Sequence, residues 1–142
     1  MRQNAGDIVI RDCVSHGTDR YLHYNYGNEK WQRGKPVTDI TFERVRATGL
    51  KLPICAWGDK TVPVRLRFKD CELGYDQPVR SLLVGSFIGG IEIDGLDVRG
   101  VDGPLVRLWN ANAVRPEIRA RRMNGVTGDV VPESGPWMVG GI

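Results

Sequence analysis

Five short segments of the chain repeat one spacing of apolar residues, at i, i+2 and i+5. They are Ile8-Ile10-Cys13, Ile40-Phe42-Val45, Leu66-Phe68-Cys71, Ile91-Ile93-Leu96 and Ile118-Ala120-Met123, with starts 32, 26, 25 and 27 residues apart. A glycine follows each near a constant offset: Gly17, Gly49, Gly74, Gly100 and Gly125. About 14 to 16 residues after each start comes a second apolar stretch. These are Leu22-x-Tyr24, Ile54-x-Ala56, Leu82-x-Val84, Val106-x-Leu108 and a weaker Val130-Val131. Alternation of period 2 predicts strands with one buried face. The Asn-Gly type pairs that close tight hairpins are scarce. Strands recurring about every 26 residues without hairpins predict a coil that climbs one strand spacing per turn, so that like stacks on like. The predicted fold is all-β, a right-handed parallel β-helix of about five rungs starting near residues 8, 40, 66, 91 and 118. Its hand follows the general preference for right-handed crossovers between parallel strands.

The polar positions test that register separately. The residue three after each anchor reads Arg11, Glu43, Lys69, Asp94, Arg121, alternating in sign throughout. The next file reads Asp12, Arg44, Asp70, Gly95, Arg122 and alternates except at the glycine. In a parallel, in-register sheet these side chains stand ~4.8 Å apart, so opposite charges support the stack and a one-rung slip would set like charges together. The same register puts Cys13 and Cys71 in the inward file with Val45, Leu96 and Met123, and Cys55 beside inward Ile54. All three cysteines are therefore expected to be small buried side chains. None belongs to a Cys-x-x-Cys pair, which argues against a zinc site.

Composition narrows the class further. Gly and Pro number 18 and 8 of 142 residues, a turn-rich makeup at odds with a helical bundle. No apolar run approaches the ~18 residues of a membrane-spanning helix. A net charge of +3 is too small to favour nucleic acid, and alternation turns the cations of Arg119-Ala120-Arg121-Arg122 outward onto a solvated face. No basic-then-apolar leader opens the chain. Residues 1–142 read as one β-helix domain without a linker. Residues 27–36 form the longest excursion, and residues 131–142 a tail whose Trp137 and Met138 cap the last rung. Rung one has no comparable cover. Either further rungs precede it in a longer β-helix, or a second copy covers the open end.

The stretch Asp19–Val45, with Arg46-Ala47-Thr48-Gly49, resembles late β-helix rungs of bacterial proteins in glycoside hydrolase family 28, the polygalacturonase-like group of the pectin-lyase-like superfamily. The resemblance covers residues 5–130 and is most specific over Trp31–Val45. It implies inverting hydrolysis of pectic polysaccharide by a cluster of aspartates in a secreted or periplasmic parent protein. The family's motifs Asn-Thr-Asp, Asp-Asp, Gly-His-Gly and Arg-Ile-Lys are absent; Ser15-His16-Gly17 is a partial echo, and Arg119-Ala120-Arg121 does not match. No catalytic residue carries over. The expectation is a C-terminal scaffold or cleft portion of a polysaccharide-active enzyme, inactive alone. The alternative is a non-catalytic carbohydrate-binding or structural β-helix, adhesin- or tailspike-like, completed by oligomerisation.

Three constellations bear on chemistry. Asp12 and Asp19 near His16 form the one grouping with the flavour of a two-carboxylate glycosidase, but Asp12 belongs to a charge file and Asp19 to a glycine-rich turn. A calcium cage needs converging carboxylates, which the arginines between rungs break up, so neither metal nor other cofactor is expected. The candidate sugar-binding residues are Tyr24, Tyr26, Trp31 and Arg33, with Arg20, Lys30 and Lys35 nearby. Aromatic faces stack on sugar rings and guanidinium groups grip carboxylated sugars; the competing reading has Tyr24 and Trp31 packing the coil.

Overall fold

A computed structural model describes residues 6–25, 37–110 and 114–134. Among the described residues twelve strands follow in chain order: β1 Asp7–Arg11, β2 Val14–His16, β3 His23–Asn25, β4 Asp39–Glu43, β5 Arg46–Leu50, β6 Ile54–Trp57, β7 Val64–Val79, β8 Leu83–Ser86, β9 Ile88–Val101, β10 Pro104–Trp109, β11 Glu117–Asn124 and β12 Thr127–Pro132. Every pairing between them is parallel. The chain is a parallel β-helix.

The register matches the apolar spacing residue for residue on the long sheet. Ile8, Ile40, Leu66, Ile91 and Ile118 stand in one file, and Ile10, Phe42, Phe68, Ile93 and Ala120 in the next. Between them runs the outward file Val9, Thr41, Arg67, Glu92, Arg119. A second, five-stranded sheet ordered β12-β10-β8-β6-β3 closes the coil from the opposite side. The interior between the two sheets is apolar: Ile40, Leu66, Ile91, Ile54, Leu83 and Val106 are all at most 2% exposed. Phe42 and Phe68 stack at 5.5 Å, and Tyr21 tilts onto Phe42 at 4.7 Å.

One corner recurs in every coil. Asp12, Arg44, Asp70, Gly95 and Arg122 all take positive φ, at 53°, 51°, 50°, 89° and 54°. A single left-handed residue thus bends each coil between its first and second strand segments. Only Gly95 adopts that conformation without a Cβ penalty.

Some sequence expectations need correction. In the third coil the inward residue opposite Ile54 and Val106 is Leu83, not Leu82. Its two-residue successor is Gly85, because an added Cβ there would lie 1.9 Å from the Ala56 carbonyl oxygen. Gly17, Gly49, Gly100 and Gly125 take positive φ, but Gly74 is ordinary strand, paired with Arg99. Cys13 does occupy the file of Val45 and Cys71, since Arg46 N–H donates to its carbonyl and Glu72 N–H to that of Val45. It is nevertheless exposed, while Cys55 and Cys71 are buried; coil one has no described neighbour on its outer side. At the far end Val131 and Pro132 still belong to β12, and Trp137 and Met138 lie outside the described residues.

The charge files bind the coils together. Glu43 accepts from Arg11 Nε at 2.9 Å and faces Lys69 Nζ at 3.7 Å; Asp94 accepts from Arg121 at 3.0 Å. Glu43→Lys would replace two attractions by two repulsions in one file. At ~0.2–1 kcal/mol per exposed pair, it is expected to cost roughly 1–3 kcal/mol, read as a lower urea midpoint with an unchanged m-value.

Candidate functional site: the charged outer face of the long sheet

The outward files form a shallow open groove whose lining includes Arg67, Lys69, Glu92, Asp94, Arg119 and Arg121. Strand alternation puts all six on one face. The groove is internally neutralised. Arg67 bridges Asp39 at 3.1 Å and Glu92 at 3.0 Å, Arg119 holds Glu117 at 2.7 Å in its own strand, and Arg121 holds Asp94.

The corner file continues the pattern, and its glycine has a use. Arg122 reaches Asp94 at 3.0 Å and also Asp70, two coils away, at 2.9 Å. A Cβ on Gly95 would sit 2.7 Å from the Asp70 carboxylate and 2.9 Å from the Arg122 guanidinium. The missing side chain is what lets the arginine span two strand spacings. The apparent break in alternation is thus a longer bridge.

Arginine lowers the titration of two carboxylates, Asp94 and Asp12. The Arg122 hydrogen bond holds Asp94 below the usual carboxylate value, and Arg44, donating to both oxygens of Asp12 at 2.5 and 3.1 Å, does the same there. A depressed folded value means that the unfolded chain binds more protons in acid. The contribution is fully present above the unfolded carboxylate range and is lost as pH falls through the folded values. Urea midpoints are expected to drop on acidification from about pH 5 to pH 2. Arg122→Ala should flatten the part of that dependence due to Asp94.

Of the residues singled out from the sequence, those described make the following contacts. Asp12, His16 and Asp19 each contact the residue one coil on: Asp12 meets Arg44, His16 Nδ1 lies 2.7 Å from Thr48 Oγ1, and Asp19 lies 3.7 Å from Lys51. They tie coil one to coil two. Tyr24 is half-buried against the core, and its hydroxyl accepts from Val37 N–H at 2.9 Å, so it packs the coil. Tyr26, Trp31 and Arg33 lie outside the described residues, as do Lys30 and Lys35. Arg20 lies beside His23, Nη1 to Nδ1 at 3.4 Å.

Sequence reasoning missed one feature. Cys55 faces outward in register with His23 and Val84, yet Cys55, Trp57 and Val84 form a second buried apolar cluster, with Trp109 at 5.6 Å from Trp57. The one-residue register error in coil three hid it. His23 beside Cys55 has the composition of a nucleophilic pair, but burial pushes the thiol up and the imidazole down. Trp57 Nε1–H donates to Cys55 Sγ at 3.1 Å. A raised thiol is the reverse of an activated thiolate.

Comparison with known protein families, with curated proteins and with solved structures finds no match to this chain.

Proposed function

We propose that this chain is a non-catalytic β-helix scaffold of a polysaccharide-active, polygalacturonase-like system, and that it is inactive alone. The observation that carries the non-catalytic part is the pairing of carboxylates on the outer face. Asp12, Asp39, Glu43, Glu92 and Asp94 each have an arginine within 3.1 Å. An inverting hydrolase needs two carboxyl groups ~6.5–9.5 Å apart, one protonated and one free to activate water; a carboxylate already engaged by a guanidinium group is not free for either role. The polysaccharide part rests on the resemblance at Trp31–Val45 and on the parallel β-helix itself. The test is incubation of the purified chain with polygalacturonate, followed by a reducing-end assay. No release above buffer is expected. Release that rises with protein and falls in Asp94→Asn would overturn the reading.

A second reading, a structural β-helix completed by oligomerisation, is favoured by the apolar edge at β1. Ile8 and Val9 in β1, and Val14 in β2 beside it, are 36%, 48% and 80% exposed.

A further inference from the structure

Among the described residues β1 pairs with β4 alone. Thr38 N–H donates to the Gly6 carbonyl and Asp12 N–H to the Glu43 carbonyl. Backbone alternation therefore turns the peptide groups of Gly6, Ile8, Ile10 and Asp12 toward β4, and those of Asp7, Val9 and Arg11 toward the open side. The latter three also carry the outward side chains: an acid, an apolar residue and a base. An exposed edge of this kind recruits another strand.

The charges decide between two ways of covering it with the same protein. Stacking head to tail would continue the register and lay β1 on β11 of another copy. Asp7 would then face Glu117, and Arg11 would face Arg121. The Arg11 file begins and ends on a cation and the Asp7 file on an acid, so of these three files only Asp12 against Arg122 would attract. Stacking head to head pairs β1 with β1 antiparallel about a two-fold axis at Val9. Each Asp7 then faces Arg11 of the second copy, Val9 faces Val9, and inward Ile8 faces Ile10. The peptide groups that meet are the ones aimed outward. Arg11 spends its Nε on Glu43, and its terminal N–H groups remain for a second acceptor. The other end lacks this symmetry, because Arg119 at the centre of the Glu117–Arg121 segment would meet itself.

We propose that β1 is the contact of a closed, two-fold, head-to-head dimer of this chain. The proposal deepens the second reading above and does not depend on the polysaccharide. Isologous contacts stop at two copies, whereas head-to-tail contacts generate filaments.

Sedimentation equilibrium of the full chain over a concentration series tests it. A monomer–dimer equilibrium with no larger species is expected. Asp7→Arg sets Arg against Arg11 of the second copy twice and should weaken dimerisation about tenfold or more. Within its own chain the new side chain faces Asp39, so the circular dichroism melt should be preserved. In a Cys13→Ser background, Val9→Cys should give a disulfide-linked dimer under mild oxidation, since Cα atoms in such an antiparallel pair lie ~5.5 Å apart. A monomer at every concentration, an open-ended series of oligomers, or a dimer indifferent to Asp7→Arg would overturn the proposal.

Discussion

Phe68→Ala is expected to destabilise the chain by about 3–5 kcal/mol, measured by urea denaturation. Phe68 is 1% exposed at the middle coil, where the long sheet faces the interior. It stacks on Phe42 at 5.5 Å and lies 6.4 Å from Tyr21. Truncation removes one of the two phenylalanines of its file and leaves a cavity between coils two and four. Ile93 on the next coil is fixed by its own strand pairing, so collapse into the void is restricted. Phe68→Leu keeps most of the volume and should lose much less. Equal losses for the two variants would mean that the position is not close-packed.

Gly85→Ala should carry the second large effect, roughly 2–4 kcal/mol on the same assay. The added methyl would meet the Ala56 carbonyl oxygen at 1.9 Å and its carbon at 2.8 Å. These are backbone atoms of the paired strand β6, so relief requires separating β6 from β8 and disturbs the adjoining Ile54–Leu83 contact. Gly128→Ala on β12 is the internal control, because a Cβ there meets nothing within 4 Å. It should be neutral, or stabilise by a few tenths of a kcal/mol through the unfolded chain. A Gly85→Ala protein as stable as Gly128→Ala would contradict the coil-three register.

The long sheet was legible because two independent patterns agree there. Apolar period 2 places Ile40, Leu66 and Ile91 in one file, and the sign of charge places Glu43, Lys69 and Asp94 in another; a shift of one residue spoils both. The second sheet has no charge file to arbitrate. In coil three Leu82, Leu83 and Val84 are consecutive apolar residues, all buried, so alternation leaves their parity open. The steric need at Gly85 settles it, and a contact with Ala56 leaves no mark in local sequence. Cys13 shows a different limit: its file was readable, but burial is a property of the neighbouring coil. The corner was hidden for a third reason, since arginine and aspartate at positive φ follow from closing a stacked coil and not from local propensity. As for the candidate site, Tyr24 lies partly buried against the core, and Tyr26, Trp31 and Arg33 lie outside the described residues.

The central claim is that successive coils stack in parallel with Arg11, Glu43, Lys69, Asp94 and Arg121 in one file. Backbone nuclear Overhauser spectroscopy of isotope-labelled protein tests it most directly. The account predicts inter-strand contacts from the backbone around Glu43 to that around Lys69, and from Lys69 to Asp94, with the amide-to-alpha pattern of parallel strands. Strong alpha-to-alpha contacts between these segments, the mark of antiparallel pairing, would contradict it.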